Sequence, residues 1–284
     1  MIRLSAFADE ISADLNEQVE VLRSEHIHFI DLRGVWNTNV LDLTDRQVTE
    51  IKQALNASGI GVSAIASPIG KIPIDASFEE HPQRFHRAIE LARFFHTPYI
   101  RIFSFYPPVS EHKAHGEQES SDPSIWRNEV LRRLGEMTSL VRDTNIVLLH
   151  ENEKDIYGDT VARCIDLLQT INDPHFQAIF DPANFIQCGQ TTYPDAFEAL
   201  RPWVRYIHVK DALANGTVVA AGEGMAQWVN VLKRLYADGY DGFFSLEPHL
   251  ALSGQFQGFS GPELFRKASQ SFKRLLQSID WKYE

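Results

Sequence analysis

The sequence predicts one (β/α)8 TIM barrel, a single α/β domain over residues 1–284. Three observations carry this. Short strand-like runs alternate with helix-like stretches from end to end, as a barrel requires. The runs are largely apolar on both faces, which suits parallel strands covered by helices. Four of them, in the second half, end in residue types that ligate metals: Glu151, Asp181, His208 and Glu247. These lie 30, 27 and 39 residues apart (151 to 181, 181 to 208, 208 to 247), roughly one strand-plus-helix unit per step. A doubly wound open sheet would favour a glycine-rich first turn, and Ala8-Asp9-Glu10 contains no glycine.

In chain order the expected strands are Ile2–Phe7, His28–Arg33, Gly61–Ile65, Tyr99–Phe103, Ile146–His150, Gln177–Asp181, Arg205–Val209 and Phe243–Glu247. Helical spacing appears in Leu15-Val19-Leu22, in Ile51-Leu55, and in Phe85-Ile89-Ala92 with Phe95. Thr44-x-x-Gln47 and Ser77-x-x-Glu80 read as capping boxes. Asp122-Pro123 and Ser260-Gly-Pro-Glu263 read as helix starts, and Gly59 and Gly239 as helix ends. The polar stretch from Tyr106 to Asp122 follows the fourth strand and is a lid candidate. Gly222-Glu223-Gly224 lacks a third glycine and reads as a turn, not a nucleotide cradle.

Composition narrows the function. A content of 44% hydrophobic and 23% charged residues is ordinary for a globular chain. The net charge of −11 argues against a nucleic-acid partner, since phosphates need clustered Lys and Arg. Cys164 and Cys188 form no short-spaced pair and are expected as reduced thiols in a cytoplasmic protein. No apolar run approaches a membrane span, and the N-terminus lacks the pattern of a signal peptide.

Each candidate ligand has an ordinary explanation when taken alone. His208 can be a core histidine, Asp181 before Pro182 a helix N-cap, and Glu247 before Pro248 a strand end. Together they argue for a cation, because four buried acid or imidazole groups converging without one would be costly. Three carboxylates and one imidazole suit one divalent metal ion, Mn²⁺, Mg²⁺, Co²⁺ or Zn²⁺. Its open positions would take a carbonyl and a neighbouring hydroxyl of a sugar and acidify the adjacent C–H. His150 should face away from Glu151 along the strand and act structurally. Lys210, two beyond His208, is expected to share its face and to pair with an anionic substrate group, with Asp211 as its anchor. His249, two past Glu247, should reach the same cavity. The first four strands end in Asp9-Glu10, Arg33, Ser67 and Arg101 with Phe105, which are expected to ring a polyhydroxylated ligand, with Arg101 and Asn184 among its contacts. Trp36 and Phe105 are expected to stack on a ligand, and Arg33 to clamp a phosphate or carboxylate, unless it pairs with Asp9 or Glu10.

The stretches Leu149-His-Glu-Asn-Glu153, Phe180-Asp-Pro-Ala-Asn184, Ile207-His-Val-Lys-Asp211 and Ser245-Leu-Glu-Pro-His249 carry a resemblance. So do Leu32-Arg-Gly-Val-Trp36 and Tyr99-Ile-Arg-Ile-Phe-Ser-Phe105. With them the chain resembles the sugar phosphate isomerase/epimerase family of xylose-isomerase-like barrels, which includes ketose 3-epimerases, inosose dehydratase and hydroxypyruvate isomerase. The resemblance implies that Glu151, Asp181, His208 and Glu247 are metal ligands and that the two glutamates are the acid/base pair. Two positions depart from the ketose 3-epimerase pattern. Asn184 stands where a histidine is usual, and Ala212 to Gly216 supply no arginine, leaving Lys210 as the nearest cation.

The expected activity is isomerisation or epimerisation of a sugar, sugar phosphate or related polyhydroxy ketone, through proton transfer in a metal-stabilised enediolate. The alternatives are an inosose-type dehydratase on the same site and a non-catalytic sugar-binding barrel. Phosphodiester cleavage would call for more histidines and a more basic surface. The expected partner is a small carbohydrate, and homo-oligomer formation through rim loops is left open.

Overall fold

Eight apolar runs form the expected strands: β1 (Arg3–Ala6), β2 (Phe29–Leu32), β3 (Gly61–Ile65), β4 (Tyr99–Ile102), β5 (Val147–Glu151), β6 (Phe176–Phe180), β7 (Val204–Val209) and β8 (Phe243–Leu246). The computed structural model describes residues 1–108, 122–251 and 260–284. The strands make one sheet in the order β1-β8-β7-β6-β5-β4-β3-β2, and every pairing is parallel. The sheet is a nearly closed barrel. At the seam between β1 and β2, Ser5 Oγ donates to Asp31 Oδ1 at 2.6 Å.

The outer layer includes α1 (Leu15–Ser24), α2 (Asp45–Ala57), α3 (His81–Phe95), α4 (Arg127–Ser139), α5 (Val161–Ile171), α6 (Pro182–Gln187), α7 (Trp228–Ala237) and α8 (Gly261–Ser278), with a single helical turn at Phe197–Leu200. Thr44 and Gln47 form both halves of the expected capping box, an arrangement worth about 1 kcal/mol. Asp122 caps the 3-10 turn Pro123–Trp126 that leads into α4. Gly59 and Gly239, at φ +68° and +71°, end α2 and α7 as expected. Ser77 does not cap α3. Its Oγ accepts from Glu79 N at 3.3 Å, and the helix begins four residues later, at His81-Pro82, because a proline fits the first turn. Ser260 precedes α8, but its hydroxyl turns to Glu10 Oε2 at 3.2 Å instead of capping the helix.

Among the described residues, the two larger apolar regions do most to hold the fold. One lies between the barrel and its helices. The other, with Ala64, Leu149, Ile179, Tyr206 and Phe243 beside Phe29, Tyr99 and Val147, fills the barrel itself. Side chains alternate along a strand. Leu149, Ile179 and Tyr206 in the filling therefore put Glu151, Asp181 and His208 on the same inward face, one layer nearer the C-terminal rim. The expected lid falls mostly on residues 109–121, outside the described residues.

Candidate metal centre

Glu151 closes β5, Asp181 follows β6, His208 lies in β7 and Glu247 follows β8. The four are 0–2% exposed, and one ligand atom from each lies within 4.8 Å of the others. His208 Nδ1 is 3.3 Å from Glu151 Oε1, 3.4 Å from Glu247 Oε2 and 3.9 Å from Asp181 Oδ2. Asp181 is also an N-cap: its Oδ1 accepts from Asn184 N at 3.0 Å, which leaves Oδ2 for the cluster. Asn152 fixes the Asp181 backbone, donating to its carbonyl at 2.8 Å and accepting from its N–H at 2.9 Å.

Three cations press on this cluster. Lys210 Nζ is 2.8 Å from Asp181 Oδ2 and 3.2 Å from Glu247 Oε2. Arg101 Nη1 is 3.1 Å from Glu151 Oε2, and Arg33 Nη1 is 3.1 Å from Glu247 Oε1. The two guanidiniums flank Phe7, 5.0 and 4.8 Å from its ring centre, a favourable cation–π arrangement.

The electrostatics follow from burial and neighbours. Burial pulls the Glu151 carboxyl up, but His208 and Arg101 outweigh it and hold it well below the usual glutamate range. Glu247 is likewise held low against its burial by Lys210, His249 and His208. Asp181 moves the other way, because burial, Glu151 and Glu247 prevail over Lys210. Burial opposes the charged form of His208, yet Glu151 and Glu247 push it up to about 10.

This donor set suits a divalent cation. Both ring nitrogens of His208 are buried without a hydrogen-bond partner, although Nδ1 faces three carboxylates. A nitrogen lone pair and carboxylate oxygens spaced this closely meet the needs of Mg²⁺, Mn²⁺ or Zn²⁺.

The remaining expected residues divide. Asn184 joins the cluster, its Nδ2 donating to Glu151 Oε1 at 3.3 Å. His249 Nε2 lies 3.2 Å from Glu10 Oε1 and 3.5 Å from Glu247 Oε1. Arg33 makes the rim pair with Asp9, at 2.7 Å, as well as its contact to Glu247. Trp36 sits at φ +56° in the tight turn between Gly34–Val35 and Thr38–Asn39, half-buried against the core. His150 turns outward and meets Ser104 Oγ at 2.9 Å.

Two expectations fail. Phe105 is fully buried beside Phe78 and His81 and cannot stack on a ligand. Its φ of +65° turns the chain back toward Gly70, whose carbonyl accepts its N–H at 3.0 Å. Asp211 does not anchor Lys210. It accepts the backbone N–H of Ala212, Gly222, Gly224 and Ala226 at 2.8–3.1 Å, which makes the Gly222–Gly224 turn a clasp around its carboxylate.

Sequence reasoning passed over groups beside the cluster. Phe7 carries both guanidiniums, and the fully buried Glu10, expected only at the rim or beside Arg33, holds His249. Asp31 sits inside the barrel, 2% exposed. A carboxylate within the apolar run Phe29-Ile30-Asp31-Leu32 was the available signal.

A family model described as the xylose isomerase-like TIM barrel matches residues 22–275. A 3-dehydroshikimate dehydratase from Bacillus anthracis is 24% identical over 181 residues, 62% of this chain and 60% of that protein, so the match spans less than two thirds of that relative's length. A xylose isomerase-like TIM-barrel protein from Mycobacterium smegmatis in complex with magnesium superposes with a TM-score of 0.73 at 17% identity, covering 98% of this chain and 96% of that one. A D-tagatose 3-epimerase-like protein gives a TM-score of 0.75 at 15% identity, covering 98% of each chain.

Proposed function

The chain belongs to the xylose isomerase-like TIM-barrel family, and we propose that it is a divalent-metal-dependent isomerase or epimerase acting on a polyhydroxylated ketone. The reading takes Glu151, Asp181, His208 and Glu247 as the ligands of one ion. A divalent cation bound there supplies a Lewis acid that polarises a carbonyl and acidifies the neighbouring C–H. The observation that carries the reading is the placing of Glu151 and Glu247. They come from β5 and β8, with β6 and β7 between them in the sheet, yet both lie within 3.3–3.4 Å of the same His208 nitrogen. Two carboxylates thus approach one point from separate parts of the rim.

One glutamate removes the α-proton with its outer carboxylate oxygen, and the electron pair moves onto the carbonyl oxygen. The other glutamate returns a proton to the same carbon from the opposite face, which inverts it; return to the former carbonyl carbon from the same face, with the hydroxyl proton passing to the old carbonyl oxygen, isomerises instead. Arg101 and Lys210 keep the carboxylates ionised, as proton removal requires, while lowering their basicity. Arg33, Arg101 and Lys210 are paired with these carboxylates; were an ion to take over the carboxylates, the three cations would be released to meet a substrate carrying a carboxylate or phosphate. The purified protein, loaded with Mn²⁺ and given candidate ketoses and keto acids in heavy water, should place deuterium at the α-carbon. Turnover without that label would point to a hydride shift and remove this reading.

A dehydratase is the second reading. It is favoured by His249 Nε2, held by the buried Glu10 at 3.2 Å and next to Glu247 at 3.5 Å, where an N–H can meet a departing β-hydroxyl. The similarity to a 3-dehydroshikimate dehydratase supports it. An unsaturated product absorbing in the ultraviolet, with release of water, would separate it from an isomerase.

A further inference from the structure

Beneath the candidate metal centre the barrel interior holds a second polar group that the proposed chemistry does not use. Asp31 Oδ1 accepts from Ser5 Oγ at 2.6 Å, from Ser63 Oγ at 2.5 Å and from the Tyr206 hydroxyl. The four side chains come from β2, β1, β3 and β7, and all are 0–2% exposed. A buried carboxylate is unfavourable unless something in the fold needs it. Linking β1 to β2 is one use, but neutral side chains can make such links. The other oxygen, Oδ2, faces His208 Nε2 at 4.0 Å, and that nitrogen is buried without a hydrogen-bond partner.

We propose that Asp31 is a positioning residue for the metal site: its Oδ2 draws the ring proton of His208 to Nε2, so that Nδ1 keeps its lone pair toward Glu151, Asp181 and Glu247. The inference rests on the reading of those four side chains as a cation site.

A neutral imidazole carries its proton on one nitrogen only. Three carboxylates stand on the Nδ1 side; alone, they would draw the proton to Nδ1 and block ligation there. Asp31 sets a fourth carboxylate on the opposite side of the ring. The 4.0 Å between Asp31 Oδ2 and His208 Nε2 exceeds a direct hydrogen bond, so at this range Asp31 acts as a charge on the N–H dipole, between groups only 0–2% exposed, where the effective dielectric is low. The ring itself is gripped. Phe7 lies at 90° to it with centroids 5.1 Å apart, and Tyr206 at 87° with centroids 6.0 Å apart. Tyr206 also bonds to Asp31, so one residue ties the carboxylate to the ring it orients. Metal-binding histidines commonly have such a partner on the other nitrogen, and its loss weakens metal affinity about 10- to 100-fold.

The test is Asp31→Asn. The amide keeps the shape and can leave its oxygen among the three hydroxyls, which turns its NH2 toward Nε2. A donor then faces a donor, and the ring proton is driven to Nδ1. Free Mn²⁺, followed by electron paramagnetic resonance in titrations of the folded metal-free protein, should show affinity falling by about 10- to 100-fold. Ser63→Ala keeps the carboxylate and removes one hydroxyl; it should lower the metal-free melting temperature and leave Mn²⁺ affinity nearly unchanged. In wild-type protein loaded with Zn²⁺, ¹⁵N-imidazole spectra should show His208 protonated at Nε2, an observation that does not depend on any variant folding. Unchanged affinity in Asp31→Asn, or a His208 protonated at Nδ1 with zinc on Nε2, overturns the role of Asp31 while leaving the metal site in place. Wild-type protein that takes up no Mn²⁺ overturns both.

Discussion

Lys210 Nζ lies 2.8 Å from Asp181 Oδ2, with side-chain exposures of 3% and 0%. A buried ion pair adds little net stability over apolar packing, but removing one partner leaves an uncompensated charge. Lys210→Met should therefore destabilise the metal-free protein by about 3 kcal/mol. Mn²⁺ should restore part of the loss by taking over the neutralisation of Asp181 and Glu247. Denaturant unfolding with and without Mn²⁺ measures both effects, and the metal-induced gain should be larger in the variant than in wild type.

The pH dependence of the metal-free protein should carry the signature of His208. Its folded-state value is pushed up to about 10 by Glu151 and Glu247 against the pull of burial, above the usual histidine value of about 6.5. A raised value contributes stability that is fully present below the unfolded value and is lost as pH rises through the folded one. Unfolding free energy should thus fall between about pH 6.5 and 10 in the metal-free protein. With metal bound, the imidazole is a neutral ligand and that loss should disappear. Urea titrations across this range, repeated with His208→Gln, isolate the contribution.

Glu151→Gln and Glu247→Gln should each lower α-proton exchange by about 10²- to 10⁴-fold, the range of general acid–base catalysis. Both should also weaken Mn²⁺ binding. Exchange must therefore be measured at saturating metal, monitored by paramagnetic resonance, and compared with the double variant. If the glutamates act as an acid/base pair, one single variant should still label the substrate from one face while failing to convert it.

The four clustered rim residues were legible because two periodicities coincide. Parallel strands bring their C-terminal ends to one rim, and alternation along β5 to β8 fixes which residue points inward there. Residue type then did the rest for Glu151, Asp181, His208 and Glu247. Phe105 was misread because its placement turns on a left-handed backbone at a non-glycine residue, which sequence does not announce. Asp211 was misread because it stands at the start of the pair Asp211–Ala212 and Val218–Val219, where the chain reverses and neighbouring backbone N–H groups outcompete Lys210. Asp31 was passed over although it interrupts an apolar run, and Glu10 was placed at the rim without its link to His249. Their partners, Tyr206 and His249, lie 175 and 239 residues away.

The clasp at Asp211 should set how firmly the rim beside Lys210 is held. Its carboxylate accepts four backbone N–H groups, from Ala212, Gly222, Gly224 and Ala226. Gly224 is needed for this: a Cβ there would lie 2.5 Å from Ala212 O and closer still to Asp211 Oδ1, so the loop can approach the carboxylate only without a side chain. Asp211→Ala leaves four donors to find water and should cost about 2–4 kcal/mol. Gly224→Ala should weaken the same contacts by steric displacement with Asp211 intact. Both variants should raise hydrogen exchange at Gly222, Gly224 and Ala226 while α1 and α2, on the far side of the chain order, keep their protection. If either variant frees the loop, Lys210 next to it loses its fixed backbone, and KM for an anionic substrate should rise more than kcat falls. Equal protection at those amides in Asp211→Ala and wild type would show that the loop is held by something other than this carboxylate.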